Sequence, residues 1–250
     1  MNLGKLLLKR EKKAVYHDGK KVYKVFEKGY PKSSVLNEAL NQSRIEETGL
    51  DIPKIIEVTV IDDCWAIVMD YIKGETLASL MKANPKKLKF YLELFVDLQL
   101  LVHSKRSSRL NPLQDKMNRK IDLTRDELDA TIRYDLHTRI EGMPKHIKVC
   151  HCDFNPGNII VSTDGKPYIL DWSHASQGNG AADAAITYLL FCLDGSNKTA
   201  EKYLDLYCKK SETAKQYVNK WFSIAAASRL CESPQKEKSL LMRFIDIVDY

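Results

Sequence analysis

The residues with the most evident chemistry lie in one short segment in the second half of the chain. Residues 151–158 read HCDFNPGN and fit the pattern H-x-D-x-x-x-x-N. A carboxylate such as that of Asp153 can orient a hydroxyl group and accept its proton, and the side-chain oxygen of Asn158 suits Mg²⁺. Because Pro156 and Gly157 turn the chain sharply between them, we expect both side chains to face one cleft.

A second carboxylate follows in the segment 168–172, which reads YILDW. The stretches 158–162 and 167–171 predict a hairpin over Asp164-Gly165, which returns Asp171 to the vicinity of Asn158. Asp171 is therefore the expected charged ligand of Mg²⁺. A hydroxyl-orienting carboxylate and oxygen ligands for a triphosphate-bound Mg²⁺ are what phosphoryl transfer requires, and H-x-D-x-x-x-x-N is the catalytic-loop pattern of kinases.

The elements that must position these residues change in kind along the chain. Up to residue 70, alternation and turn residues predict short strands around a single helix. That helix covers 34–47, with Ser34 as its N-cap and Gly49 as its end. The predicted strands are 3–8, 13–17, 21–26, 55–60 and 65–69, with turns at Asp18-Gly19 and Asp62-Asp63.

From residue 75 onward the pattern becomes helical. Thr124 and Glu127 form a capping box, T-x-x-E, at the start of one predicted helix. The predicted helices are 77–82, 87–104, 124–141 and a helical run from 181 to the C-terminus. This order predicts a sheet-rich lobe, a short linker at 72–74 and a larger helical lobe, with a ligand cleft between the lobes.

One lysine of the sheet-rich lobe lies on a predicted apolar face. In the third predicted strand, alternation places Val22, Lys24 and Phe26 on one side. A lysine between apolar neighbours needs an anion, such as phosphate oxygens or a helix carboxylate. Glu38 and Glu46 of the predicted helix are both candidates, and the mid-helix Glu38 is preferred.

These motifs together resemble the aminoglycoside phosphotransferase and choline kinase superfamily. Its members typically carry H-G-D-x-x-x-x-N, then I-D-W or I-D-F, then a helix start like G-D-P-x-x-D, and this chain has HCDFNPGN, LDW and, at 178–183, GNGAAD. The resemblance implies an α+β, bilobal, protein-kinase-like fold. The expected lobes are a nucleotide-binding lobe at 1–70 with a small antiparallel sheet and one helix, a hinge at 71–74 and a mostly helical lobe at 75–250.

The resemblance also implies ATP or GTP, Mg²⁺ and transfer of the γ-phosphate to a hydroxyl of a small molecule. Asp153 would then be the catalytic residue, with Asn158 and Asp171 as the metal ligands. His151 would brace the catalytic loop, and Asp183 would hold its backbone.

The remaining implied roles concern the nucleotide. Lys24, paired with Glu38, would hold the α- and β-phosphates. The other implied nucleotide-binding residues are Val22 and Met69 at the adenine pocket and, through their backbones, Asp70 and Ile72 at the edge of the base.

The chain departs from the protein-kinase pattern in one place. Protein kinases carry G-x-G-x-x-G between the first two strands, whereas the turn at 8–12 holds no glycine. Lys9, Arg10 or Lys12 could supply charge to the phosphates instead. A protein kinase is one alternative, disfavoured because no A-P-E follows Asp171 and the segment before the next helix is short. A nucleotide-binding pseudokinase is the other.

Composition bounds the remaining possibilities. The 250 residues carry a net charge of +6, 44% are hydrophobic and 29% are charged, which is typical of a globular chain. The N-terminal ten residues hold only three consecutive leucines, so we expect no signal peptide, no membrane partner and a cytoplasmic location. The six cysteines are expected to be reduced, and the absence of zinc spacing and nucleic-acid signatures disfavours those ligands.

The acceptor is left open among aminoglycoside-like, choline-like and sugar-like molecules. An aminoglycoside would favour a cluster of carboxylates, and a choline-like acceptor an aromatic cage. The candidate carboxylates are Asp194, Glu201, Asp205 and Glu212, and the candidate aromatic residues are Trp172, Tyr188, Tyr203, Tyr207, Trp221 and Phe222.

Overall fold

A computed structural model describes residues 3–245. Within this range the chain divides into two compact units, one of 3–85 with 156–174 and one of 86–155 with 175–245. The predicted division at 70 and 74 places the segment 156–174 in the helical lobe, whereas the structure groups it with the first unit. The lobe boundaries themselves stay a prediction.

The first unit contains a five-stranded antiparallel sheet with the order β1-β2-β3-β5-β4. Asp18 closes the β2–β3 hairpin, because its carboxylate accepts from the amides of Lys20 and Lys21 at 2.8 Å each. The antiparallel sheet predicted for this part of the chain is confirmed. Its strands are β1 (Lys5–Lys9), β2 (Lys13–His17), β3 (Lys21–Phe26), β4 (Ile55–Ile61) and β5 (Cys64–Asp70).

The two faces of this sheet bury different sets of apolar side chains. Helix α1 (Lys32–Glu46) covers one face, where Phe26 and Ile67 pack with Val35 and Ala39. The other face buries Tyr23, Ile61, Ala66 and Val68. Lys24 lies two residues before Phe26 and directly opposite Ile67 on β5, so the structure places it on the helix-covered face, as alternation along β3 predicts.

The start of α1 differs from the prediction. The helix begins at Lys32, Pro31 occupies the N-cap position, and no side chain caps the helix. Proline can precede a helix without cost because its fixed φ suits the first turn and it has no amide to satisfy. Ser34 is therefore inside the helix and the prediction that it caps α1 is wrong, whereas Gly49 follows the helix with a left-handed φ of 74°.

A second, three-stranded sheet explains why 156–174 belongs to the first unit. The strands β6 (Gly74–Thr76), β8 (Ile159–Ser162) and β9 (Pro167–Ile169) are antiparallel in the order β6-β8-β9, and α2 (Leu77–Ala83) follows β6 directly. The hairpin β8–β9 turns over Asp164 and Gly165 as predicted, but β9 ends at Ile169, before Asp171.

The second unit is built from helices and one short two-stranded sheet. No helix among residues 3–245 is long and apolar enough to cross a membrane. The strands are β7 (Lys148–Cys150) and β10 (Ser176–Gly178); the helices are α3 (Leu88–Ser104), α4 (Leu113–Asp122), α5 (Ala130–Gly142), α6 (Gly180–Leu193), α7 (Asn197–Ser211), α8 (Lys215–Asn219), α9 (Phe222–Leu230) and α10 (Gln235–Ile245).

The helix predicted at 124–141 begins six residues later in the structure, at Ala130. Thr124 lies beyond the end of α4, where its amide and its hydroxyl both donate to the carbonyl of Ile121 at 3.0 and 2.7 Å. Asp129 caps α5 instead, with its carboxylate accepting from the amide of Ile132 at 2.9 Å. The capping box of Thr124 and Glu127 is therefore wrong: an Asp N-cap further along satisfies the first turn equally well.

Candidate active site

Lys24 on β3 is the centre of a buried charge cluster in the first unit. Its ammonium donates to the carboxylate of Glu38, on α1, and lies 3.1 Å from Oδ1 of Asp171. Lys24 and Glu38 are both buried. The structure thus brings together three residues predicted from distant parts of the sequence. Glu46, the other candidate, lies at the end of α1 and accepts from the amide of Ile55 at 2.8 Å.

A second lysine in this cluster was missed by sequence reasoning. Nζ of Lys13 lies 3.3 Å from Oδ2 of Asp171, so each oxygen of that carboxylate contacts a different lysine. Lys13 on β2 is directly opposite Phe26, and Val15 is opposite Lys24. Since opposed residues of an antiparallel pair share a face, the alternation that identified Lys24 could have found Lys13 once the β2–β3 register was written out.

The electrostatics of this cluster favour the charged forms of Lys24 and Asp171. Burial by itself would lower the pKa of Lys24, but the charges of Asp171 and Glu38 outweigh it and hold that pKa above its ordinary value. Burial would likewise raise the pKa of Asp171, but Lys24 and Lys13 hold it well below its usual range. The pKa of Lys13 is lowered, by burial and then by the charge of Lys24.

Asp171 is held in an unusual backbone conformation. Its φ of 57° is left-handed, which costs a non-glycine residue roughly 1–3 kcal/mol and recurs at functional sites. The chain is fixed on both sides: the amide of Leu170 donates to the carbonyl of Asn158 at 2.8 Å, and the indole of buried Trp172 donates to the carbonyl of Ile169 at 3.1 Å.

The same segment could hold a divalent cation. The carbonyl bond from Leu170 ties the backbone of Asn158 to the residue just before Asp171. A carboxylate and an amide oxygen are hard oxygen donors of the kind that Mg²⁺ prefers. The residues present therefore fit the predicted metal, with the two lysines contacting the carboxylate in this state.

The predicted base-binding residues lie together at one end of β3 and β5. Val22 is directly opposite Met69, and Lys21 is opposite Asp70. The carboxylate of Asp70 accepts from the amide of Lys54 at 3.2 Å. Val22, Met69, Asp70 and Ile72 are all half-buried, and their nucleotide-binding roles stay predictions.

The second unit contains the segment with Asp153. The amide of Asp153 donates to Nδ1 of His151 at 3.2 Å, so the buried histidine ring holds the backbone next to it. Asp183, at the start of α6 and wholly buried, accepts from the amides of Cys152 at 2.6 Å and His151 at 3.2 Å. His151 and Asp183 thus both contact the backbone around Asp153, and their supporting roles stay predictions.

Cys152 adopts a left-handed conformation, with φ of 62°. The family pattern has glycine at this place, and glycine adopts such a φ without cost. A cysteine in this conformation carries backbone strain that glycine would avoid, so Cys152 and Asp171 are strained residues in the two motif segments.

Most of the candidate acceptor-binding side chains contact other residues or lie in the core. Lys215 lies 3.0 Å from a carboxylate oxygen of Glu201 and 2.8 Å from one of Asp205. Tyr188 donates to Glu201, and its ring stacks on Phe222 with centroids 4.7 Å apart. The core buries Trp172, Tyr203, Tyr207 and Trp221. All six cysteines lie in the described residues and carry free thiols.

Comparison with known proteins places this arrangement in a class. A family model described as the phosphotransferase enzyme family matches residues 9–217. The chain therefore belongs to that family, and the prediction of a small-molecule kinase is confirmed at the level of the family. No curated protein matches the chain.

Solved structures with the same fold share little sequence with this chain. A thermostable variant of the aminoglycoside phosphotransferase APH(4)-Ia, in ternary complex with ADP and hygromycin B, is 13% identical with a TM-score of 0.73, over 96% of this chain and 91% of its own. The choline kinase LicA from Streptococcus pneumoniae is 15% identical with a TM-score of 0.64, over 96% and 94%. ADP-bound APH(2'')-Ib is 18% identical with a TM-score of 0.63, over 96% and 92%. The predicted kinase-like fold is confirmed.

Proposed function

We propose that this protein transfers the γ-phosphate of Mg²⁺-bound ATP or GTP to a hydroxyl of a small molecule. The observation that carries the proposal is the cluster in which Lys24 lies between Glu38 and Asp171. A buried lysine held between two carboxylates is costly as mere packing, because each ion loses hydration on burial. The cost is understandable if the cluster binds triphosphate and metal.

In the first unit, the roles divide between phosphate and metal. Lys24 holds the α- and β-phosphates, and Glu38 keeps its ammonium in place. Asp171 and Asn158 provide oxygen ligands for Mg²⁺. When bound, this ion would neutralise charge on the phosphate oxygens as the terminal phosphoryl group departs. Val22, Met69, Asp70 and Ile72 contact the base.

In the second unit, Asp153 orients the acceptor hydroxyl and accepts its proton. As the acceptor oxygen forms a bond to the γ-phosphorus, the bond from that phosphorus to the bridging oxygen breaks and the nucleoside diphosphate leaves. His151 and Asp183 hold the backbone around Asp153. The proton on the Asp153 carboxyl is then released to solvent.

The acceptor is a small hydroxyl-bearing molecule of the aminoglycoside-, choline- or sugar-like kind. One structural relative is in complex with hygromycin B and another is named a choline kinase, so the fold by itself does not select among these acceptors. In this chain one lysine, Lys215, already pairs with both Glu201 and Asp205 and offsets part of their charge. Those two carboxylates therefore do not favour a polycationic acceptor over the others.

Nucleotide binding is the first test. A ligand that binds only the native state at 100 times its Kd stabilises it by about 2.7 kcal/mol. Mg²⁺-ATP or Mg²⁺-GTP at millimolar concentration should raise the melting temperature of the wild type, and Lys24→Met should shrink that rise. Absence of a shift with both nucleotides contradicts the proposal.

Turnover and binding must then separate at Asp153. Loss of a general base typically lowers a rate by about 10²–10⁴-fold. We expect Asp153→Asn to show such a fall in phosphate transfer to an active acceptor, found by measuring ATP consumption across a panel of hydroxyl compounds. Its nucleotide Kd, measured by calorimetry, should stay within a few-fold of wild type. Equal loss of both would assign Asp153 to the scaffold.

A further inference from the structure

Two parallel rows of buried polar side chains join three helices of the second unit. Each row takes one side chain from α7, one from α3 and one from α6, and the two rows are one helical turn apart. We call the rows the Gln99 rung and the His103 rung. All six side chains are at most 5% exposed: Tyr203, Gln99 and Thr187 in the first rung, and Tyr207, His103 and Asp183 in the second.

The Gln99 rung ends within the helices. The hydroxyl of Tyr203 donates to the side-chain oxygen Oε1 of Gln99 at 2.5 Å, and the side-chain nitrogen Nε2 of Gln99 donates to the hydroxyl of Thr187 at 3.0 Å. These bonds connect α7, α3 and α6, and neither of them reaches residues 151–153. The Gln99 rung therefore packs the same three helices as the His103 rung, and it can serve as the structural comparison for that rung.

The His103 rung continues into the segment that carries Asp153. Nε2 of His103 lies 2.9 Å from Oδ2 of Asp183, and Nδ1 lies 3.3 Å from the hydroxyl of Tyr207. Asp183 then accepts from the amides of Cys152 and His151. A Cβ at position 180 would lie 2.8 Å from Nδ1 of His103, so Gly180 leaves the space that the ring needs.

The charges set the direction of these hydrogen bonds. Burial would raise the pKa of Asp183. The hydrogen bond from His103 and the charge of its ring are the main effects that instead lower this pKa, so the carboxylate is ionised and accepts. Burial raises the pKa of Tyr207, so its hydroxyl keeps its proton. The ionised Asp183 carboxylate therefore accepts from Nε2 of His103, and the protonated Tyr207 hydroxyl lies beside Nδ1 of the same ring.

We propose that His103 is a positioning residue for phosphoryl transfer, acting on the 151–153 backbone through Asp183. Oδ2 of Asp183 serves both His103 and the amide of His151. Without the ring, a buried carboxylate must rotate or take a proton, and either change alters its hold on the strained residue Cys152. Displacement of a reacting group by about 1 Å can cost about 10²-fold in rate.

The inference rests on the proposed function, and the test uses three variants of the full chain. His103→Leu removes the donor, His103→Gln retains a donor at similar reach, and Gln99→Met breaks the neighbouring rung as a matched control. Turnover, nucleotide Kd by calorimetry and melting temperature are measured for each, together with hydrogen exchange of the Cys152 amide.

We expect His103→Leu to lower kcat by roughly 10–100-fold, with nucleotide Kd within two-fold of wild type and faster exchange at Cys152. His103→Gln should restore kcat to within about five-fold, because an amide can replace the lost donor. Gln99→Met should lower the melting temperature comparably while kcat and Cys152 exchange stay within about two-fold of wild type, as expected for a contact outside the positioning network.

Two results overturn the inference alone. One is an equal fall in kcat for Gln99→Met and His103→Leu at equal loss of melting temperature; the other is a wild-type kcat in His103→Leu. If His103→Leu does not fold, His103→Gln decides the matter. A kcat of His103→Gln that falls by at least as much as its loss of melting temperature predicts, on the scale set by Gln99→Met, then overturns the inference. A wild type without nucleotide binding or turnover overturns the proposed function instead, and the inference with it.

Discussion

At the scale of single residues, the Asp171 carboxylate is shared between two cations, one at each oxygen. A metal ion held by Asp171 would compete with Lys24 and Lys13 for this carboxylate, and the two lysines would then be available to phosphate oxygens. The proposed exchange makes the charge of Asp171 more important than its shape. An isosteric neutral substitution is therefore the informative change.

We expect Asp171→Asn to lower turnover by at least about 100-fold, because a neutral amide is a much weaker ligand for Mg²⁺ than a carboxylate. The dependence of nucleotide Kd on Mg²⁺, measured by calorimetry with and without the ion, should largely disappear. Asp63→Asn, at an exposed turn of the same unit, is the control and should behave as wild type. Near-normal turnover of Asp171→Asn at ordinary Mg²⁺ would remove Asp171 from the metal site.

Lys13 gives a second prediction at this scale, since it provides a cation where the turn at 8–12 lacks glycine. Lys13→Met should weaken binding of ATP and ADP by roughly 5–50-fold, in line with about 1–2 kcal/mol for one partly buried charge-assisted contact. Binding of adenosine, which has no phosphate, should be unchanged. Lys20→Met, at the exposed turn between β2 and β3, is the control, and equal weakening of adenosine and ATP would contradict a phosphate role.

At the scale of elements, the sequence predicts regular features better than it predicts exceptions. Alternation along β3 correctly predicted which face carries Lys24, because a period of two is dictated by strand geometry. The start of α5 was misplaced since Thr124 and Asp129 are both good caps, and local chemistry does not rank them. Helix α4 was missed, and so were β6, β7 and β10, whose pairing partners lie far away in the chain.

The left-handed conformation of Cys152 was also beyond prediction, because cysteine favours no such φ. It leads to an element-scale prediction for the segment after β7. Cys152→Gly should change the free energy of unfolding by less than about 1 kcal/mol, since relief of roughly 1–2 kcal/mol of backbone strain offsets the entropy of glycine and the lost side chain. Urea unfolding measures the change.

Cys150→Gly provides the comparison within the same segment. Cys150 is fully buried in β7, two residues earlier, and its φ is not left-handed. Glycine there gains nothing from strain and leaves a gap, so we expect a loss of about 2 kcal/mol. Equal losses for the two variants would show that the strain at Cys152 contributes little.

At the scale of the whole molecule, each unit holds a carboxylate with a depressed pKa: the half-buried Asp171 in the first and the wholly buried Asp183 in the second. The two differ in what surrounds them, since lysines surround Asp171 whereas a histidine and backbone amides surround Asp183. Neither depressed pKa could be derived from composition, because each depends on which distant segments of the chain meet. The two pKa values contribute to how the stability of the folded chain responds to acid.

Asp183 makes that response measurable. Its folded pKa lies below the unfolded value near 3.9, so its contribution to stability is fully present above pH 4–5 and is lost as the pH falls below the unfolded value toward the folded one. Within that window the unfolded chain binds one more proton, which removes about 1.4 kcal/mol per pH unit. Urea unfolding between pH 5 and 3 should show a shallower fall in Asp183→Asn than in wild type, whatever the absolute stability of the variant. Parallel pH profiles would mean that the pKa of Asp183 is the same in the folded and the unfolded chain, and that the hydrogen bonds around it do not stabilise its charged form.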